Sequence, residues 1–529
     1  MRKRFKFNSR NKENKKRTLA FYTSFHIYLP FIYLFRNKRK NGILLFFKER
    51  KNYVKKKKMK IINFALTFVA ILCIFNVHFI HADDDVEVID VEDDGSSSVA
   101  TKAPKEDLLP AFYESIGLKF LNGAALQNRV SSGGRRGVAS SKDIEPNSEV
   151  MRTPVSSIIS MGGVQKYPDL TKALTSLEVT ATIGLAVFIT YERYHVGEAS
   201  QYFKYLESLP EGFGTVQYWQ EEELKTLIGS PLLGEAQTRA RATQDDFNRL
   251  KQVLCSGDSP VMSEEEFSFE HFSWAVGNVF ARSLLLSIQD TGSMVPVLLP
   301  GFDEFELTIQ NASKITLEND TVVLKSLTGA KAGNSLFVNN GYKGNDGLLL
   351  NHGTYVESNP YDGVPMNIRM SRDDPLYDTK EKMIKTLGMN VDTPFRLMAN
   401  ANGTVPAAML RSLRVQLMRF KEMDRFGALA RQNKPISLYN EVQVFKTILL
   451  ACDEMLKGYP TNITADDAEL RKFAEGAKDG EIKATRPIVG ILHRRMEKQT
   501  LLRTKIWIYE TWTRLLTEGD MTDYLEHYN

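Results

Sequence analysis

The chain has 529 residues, 43% of them hydrophobic and 10% aromatic. That is more than one core can use, because single cores stop growing at roughly 250–300 residues, so at least two domains are expected. The formal charge of +5 conceals a division: residues 1–60 hold 21 Lys and Arg against 2 Asp and Glu, leaving 48 against 62 for residues 61–529. The part that folds is acidic, which excludes nucleic acid as its expected partner, since phosphate binding needs a basic face on the folded domain.

Residues 1–58 read as a basic leader, one that need not be translated, because Met59 begins a segment with its own logic. Residues 61–80 contain no Asp, Glu, Lys or Arg and are long enough to span a bilayer. Lys55, Lys56, Lys57, Lys58 and Lys60 precede or open this segment, and Ile80-His81-Ala82 closes it as a cleavage site. Residues 59–82 therefore read as a signal peptide or, uncleaved, as a signal anchor that holds the chain to the membrane through residues 61–80. The expected location is the secretory pathway, either lumenal or secreted, or single-pass and membrane-anchored. Residues 83–107 begin with the acidic run DDDVEVIDVEDDGSSS and are expected to be a disordered linker. Cysteine adds little: Cys73 lies in the apolar segment, and Cys255 and Cys452 are expected to be independent thiols.

The folded part opens with β patterning. Strands are expected at 137–140 and 149–153, joined as a hairpin across Glu145-Pro146-Asn147-Ser148. Apolar residues at helical spacing, among them Leu177, Ile183, Val187 and Tyr191, predict helix over 170–210, and 238–254 and 267–288 read likewise. Strands return at 305–309, 314–317, 321–327 and 335–339, with a turn at Asn319-Asp320. From 374 the chain reads as wholly helical, over 379–387, 406–423, 438–456 and 487–516. The last helix is predicted to be amphipathic, with Ile488, Leu492, Met496, Leu502, Ile506 and Tyr509 on its buried face and Arg494, Arg495, Lys498 and Arg503 at the surface. The fold class is α+β.

Several strings, in order, carry a family resemblance: Tyr191-Glu192-Arg193, Gly197-Glu198-Ala199-Ser200, Tyr205, Tyr218-Trp219, Gly229-Ser230-Pro231-Leu232, and FEHFSWAVGNVFAR ending at Arg282. Together they resemble SET-domain proteins of the Rubisco large-subunit methyltransferase-like (protein-lysine N-methyltransferase) family. The resemblance implies a SET domain at 108–373 with a helical insert at about 165–290. It also implies a helical substrate-binding domain at 374–518 that holds a protein substrate or partner. The implied chemistry is methyl transfer from S-adenosylmethionine to a lysine amine, achieved by positioning and electrostatics without a metal.

Residue by residue, the family's cofactor positions fall on Arg136, Gly137, Arg282, Phe302 and Asp303. The Gly-Arg-Gly motif becomes Arg135-Arg136-Gly137, with Gly133 and Gly134 just upstream, and the Asn-His pair becomes Phe302-Asp303 behind Leu299. A phenyl ring cannot make an amide's hydrogen bonds. Asn340 occupies the family's tyrosine position, and the later Tyr-Gly-Phe is His352-Gly353-Thr354. Tyr342 and Tyr355 are near but offset. His352, Asp303 and Asn340 are expected to converge, either as structural replacements or as an acid–base set. No metal-ligand spacing and no Gly-rich phosphate loop occurs. Two functions stand open: a lysine methyltransferase, and a non-catalytic SET-fold interaction protein of the secretory pathway.

Overall fold

The computed structural model describes residues 88–90, 109–128, 136–287, 293–339, 341–401, 403–432, 435–476 and 485–517. The leader, the apolar segment 61–80 and most of the acidic linker lie outside these residues. One unit, Asp85–Thr513, carries every element discussed below; the second, Lys3–Asp84 with Arg514–Asp520, includes only the end of the last helix among the described residues. Among the described residues, no helix is long and apolar enough to cross a membrane.

The strands form where expected, but one pairing differs. Ser148–Pro154 buries Val150, Met151 and Thr153 and lies in an antiparallel sheet between Lys119–Phe120 and Thr321–Ser326, with Ser313–Glu318 at the far edge. The last two strands make a hairpin whose turn residues, Asn319 and Asp320, both have positive φ (47° and 57°). Asn and Asp tolerate that conformation, and it matches the twist of the flanking strands. The predicted hairpin of 137–140 with 149–153 does not form, because Arg136–Ser140 pairs with Ala124–Asn128 instead. The reversal at 145–148 passes the chain from one sheet to another, and each strand buries its own apolar residues in the common core.

A three-stranded sheet organises the helical insert. Ile159–Ser160 and Leu284–Leu286 flank Val295–Leu298 on opposite edges, so both ends of the insert return to one strand. Helix does not run unbroken over 170–210. Pro168–Ser176 ends before Thr180, whose hydroxyl accepts from the Ile183 N–H and starts Ala181–Thr190. A π-helical turn, Tyr191–Val196, then stops at Gly197, which has φ 59°. Likewise the helix predicted at 267–288 ends at Arg282, and the next residues turn into the strand Leu284–Leu286.

After residue 374 the chain is mainly helical, with Tyr377–Thr386, Ala407–Gln416, Leu438–Gly458 and Arg486–Thr517, together with Ile463–Gly476, which the periodicity did not reveal. Phe395–Met398 corrects the all-helical expectation, being a strand paired with Gly363–Met366 through alternate burial of Phe395 and Leu397. The last helix is not amphipathic. Arg494 and Lys498 are 4% and 2% exposed, whereas Leu502 and Tyr509 are 39% and 52% exposed. This helix is packed on several sides, and its charges are buried because partners meet them there. Arg494 donates to Asp466, to Glu469 and to the Thr226 carbonyl of the insert; Lys498 pairs with Asp466; and Glu497 accepts from Ser230 and Tyr459. Where insert and helical region meet, Gly229 (φ +91°) lets the backbones touch: a Cβ there would lie 2.7 Å from the Gly458 carbonyl carbon. Cys255 and Cys452 are free thiols, the second buried.

Candidate functional site

The topology explains why residues distant in sequence converge. Phe269–Arg282 is capped by Ser268, whose hydroxyl accepts from the His271 N–H, and it buries Phe272, Ala275, Val276 and Val279, which fixes where its last residue emerges. Because Leu284–Leu286 pairs antiparallel with Val295–Leu298, the chain beyond that strand turns back beside the helix end. Gly301, at φ +86°, makes the turn, and Phe302–Glu304 form a single 3-10 turn packed beside Arg136–Ser140. Arg282 and Asp303 therefore come to one place, beside the strand Arg136–Ser140.

The two halves of the Phe302-Asp303 pair have opposite fates. Phe302 points into the hydrophobic core and is 4% exposed, so its ring serves packing. Asp303 is 13% exposed. Its Oδ2 accepts from the Tyr205 hydroxyl at 3.2 Å and lies 3.8 Å from Arg282 Nη1. Its Oδ1 is buried and has no hydrogen-bond partner among the described residues. Burial pushes the Asp303 carboxyl up to about 6, against the opposing pull of Arg282. Arg282 is steadied by donating from Nε to Asn278 Oδ1 at 3.2 Å. Glu304 beside it accepts from the Tyr113 hydroxyl at 2.8 Å. Phe112 stacks on Tyr205, at 6.3 Å between ring centroids. Burial raises both phenols, and the adjacent carboxylates raise them further, so they act as hydrogen-bond donors.

His352 reaches the same helix end. Its Nδ1 lies 2.9 Å from the Ala281 carbonyl, which makes Nδ1–H the donor and leaves Nε2 to accept from Lys343 Nζ at 3.0 Å. Burial, then the neighbouring Lys343 charge, hold the imidazole down at about 4, so it is neutral at physiological pH. Burial also lowers Lys343. His352 and Asp303 are thus bound to consecutive residues of one helix, each with its own partners. Asn340 and the side chain of Arg136 lie outside the described residues. Tyr342 is 60% exposed beside Tyr361, and Tyr355 is buried. Tyr113, Tyr205 and Lys343 were not identified as site residues from sequence. Tyr113 and Tyr205 reach their carboxylates across 191 and 98 residues, so no local signal exists. Among the described residues, no group of three or more His, Cys, Asp or Glu could hold a metal ion.

Comparison with known proteins gives this geometry a setting. Residues 371–501 match the family model described as Rubisco LSMT substrate-binding. The actin-histidine N-methyltransferase of Mus musculus is 24% identical over 310 residues, covering 56% of this chain and 51% of the relative. That of Gallus gallus is 24% identical over 309 residues, with the same coverage. The chain thus spans about half the length of the curated relatives it matches. Among solved structures, Rubisco LSMT bound to AdoMet superimposes with a TM-score of 0.63 at 21% identity, covering 81% of this chain and 100% of that one. The SET domain of LSMT bound to lysine and AdoHcy gives a TM-score of 0.62 at 21% identity, covering 79% and 97%. Residues 371–501 are thus similar to the Rubisco LSMT substrate-binding family, and the chain shares the fold of the Rubisco LSMT structures over most of its length.

Proposed function

We propose that the chain is a SET-type protein methyltransferase that uses S-adenosylmethionine and holds its protein substrate on the helical domain at 371–501. The observation that carries this reading is the buried, unpartnered Oδ1 of Asp303 beside the Arg282 guanidinium. A carboxylate next to a guanidinium complements the ammonium and carboxylate of the cofactor's amino-acid end. Asp303 Oδ1 would accept from the ammonium, Arg282 would face the carboxylate, and Gly137 has no side chain to obstruct the cofactor. When bound, S-adenosylmethionine supplies an electrophilic methyl group on a sulfonium. The acceptor is a side-chain nitrogen of the protein substrate. Relatives named for histidine and a structure holding lysine support that class.

The test is the melting temperature of the protein with millimolar S-adenosylmethionine, which should rise by mass action. The rise should be lost in Arg282→Ala and Asp303→Asn. It should also depend on pH. Ionised Asp303 pairs with an ammonium by charge as well as by hydrogen bond, which the protonated acid cannot, so affinity climbs with pH through about 6 and levels off above 7. About a tenfold loss is expected between pH 7.5 and 5. Absence of any shift at pH 7.5 would overturn the methyltransferase reading. It would leave the second one, a non-catalytic SET-fold interaction protein in the secretory pathway to which residues 59–82 would deliver it. Phe302 favours that alternative, because it packs in the core where the family places a hydrogen-bonding amide.

A further inference from the structure

His493 lies in the last helix, Arg486–Thr517, where that helix packs on the insert, and it is fully buried. One turn further along is Glu497, 1% exposed, whose Oε1 lies 3.3 Å from His493 Nε2. The approach lacks hydrogen-bond alignment, and Nδ1 has no hydrogen-bond partner among the described residues. Burying ring nitrogens in that state is costly, so the position calls for a reason.

Glu497 supplies one. Its Oε1 accepts from Ser230 Oγ and its Oε2 from Tyr459 Oη, both at 2.9 Å. The Ser230 hydroxyl also accepts from the Leu232 N–H at 3.2 Å and so caps Pro231–Leu254, the long helix of the insert. A single carboxylate therefore ties the last helix to the insert and to the end of Leu438–Gly458. The charges around the imidazole are mostly negative. Asp346, in the helix Asn345–Asn351, and Asp362, just before the strand Gly363–Met366, both act on it. Asp346 is held by Arg396 at 2.6 and 2.7 Å, and Asp362 accepts from Asn345. Beyond Glu497 stand Glu235 of the insert and Lys498, which is paired with Asp466. Burial by itself disfavours the imidazolium, but Glu497, then Asp362 and Asp346, outweigh it and hold the ring above its ordinary value.

We propose that His493 is a proton-operated latch on the seam between the insert and the helical region: charged, it anchors Glu497 and with it Ser230 and Tyr459, and its deprotonation loosens the seam. The sign follows from linkage. The contribution is fully present below the unfolded value of about 6.5 and is lost as pH rises through the higher folded value. The latch does not depend on methyl transfer, since it governs how the domain at 371–501 is held, whatever that domain binds.

Trp219 reports on this seam. It is buried in one cluster with Val489, and a Cβ placed on Gly490 would lie 3.3 Å from its Cζ3. The experiment labels the full chain with 5-fluorotryptophan and follows the Trp219 fluorine resonance, assigned through Trp219→Phe, from about pH 6 to 9. In wild type it should move with a midpoint above 6.5. In His493→Gln it should not move, and in Glu497→Gln the midpoint should fall by about one pH unit or more, because the nearest opposite charge is gone. A histidine that only fills space would give no such transition. A pH-independent resonance in wild type, or the same transition in His493→Gln, overturns the proposal. Should the variants not fold, the wild type decides: one histidine Cε1 resonance should titrate above pH 6.5 with the Trp219 midpoint, and the absence of a coincident histidine overturns it.

Discussion

Replacing Asp466 by asparagine tests whether the ionic centre of the last helix is as demanding as its burial implies. Asp466 is fully buried, accepts from Arg494 Nε at 3.1 Å and Thr461 Oγ1 at 2.7 Å, and pairs with Lys498. Asp466→Asn keeps the shape and removes the charge. Arg494 is left with Glu469, 41% exposed, and with the Thr226 carbonyl, while Lys498 is left with Thr461. Removing one partner from a buried ionic group costs about 3–5 kcal/mol. Asp467→Asn is the matched control: its partner Arg495 lies 2.6 Å away, but both side chains are 31% exposed, and such pairs contribute about 1 kcal/mol or less. In urea denaturation followed by circular dichroism, with a slope of about 3 kcal/mol per molar, Asp466→Asn should lower the midpoint by roughly 1–1.7 M and the control by at most about 0.3 M. Equal shifts in the two variants would refute the reasoning that burial, and not pairing, sets the cost.

Other outcomes follow from the same contacts. His352 has a folded-state value of about 4, below its ordinary 6.5, so the unfolded chain binds the extra proton between those values. Its contribution is present above pH 6.5 and is lost as pH falls toward 4, by up to roughly 3 kcal/mol, and His352→Gln should flatten stability in that window as measured by denaturation at stepped pH. Phe302→Ala should destabilise by about 3–5 kcal/mol through the cavity it leaves, a loss readable as a lower urea midpoint; a change under about 1 kcal/mol would mean the ring is not core. Gly229→Ala should destabilise more than Gly234→Ala in thermal melts, because a Cβ at 229 meets the backbone at Gly458 and at 234 meets nothing.

Much of the architecture was legible in the chain. Strand alternation marked Thr321–Ser326 and its neighbour, Asn319-Asp320 marked their turn, and the strings ending at Arg282 marked the family. Local pattern could not say which strands pair, so residues 137–140 and 149–153 looked like a hairpin and are not. The candidate site was legible only by motif position. That Arg282 and Asp303 meet follows from Leu284–Leu286 doubling back on Val295–Leu298, and Tyr205 and Tyr113 join them across separations that leave no periodic trace.

Sequence by itself determined the α+β order of elements and the sign of the charge on each part of the chain. Only the tertiary structure decided that Phe302 is core while Asp303 keeps a buried, unpartnered oxygen, and that Arg494 and Lys498 are inside the protein. Only the tertiary structure, too, paired Val88–Asp90 with Thr354–Val356. The physical reason is common to all three. Composition and periodicity report what a residue prefers on average, whereas burial and pairing depend on what the rest of the chain brings to meet it.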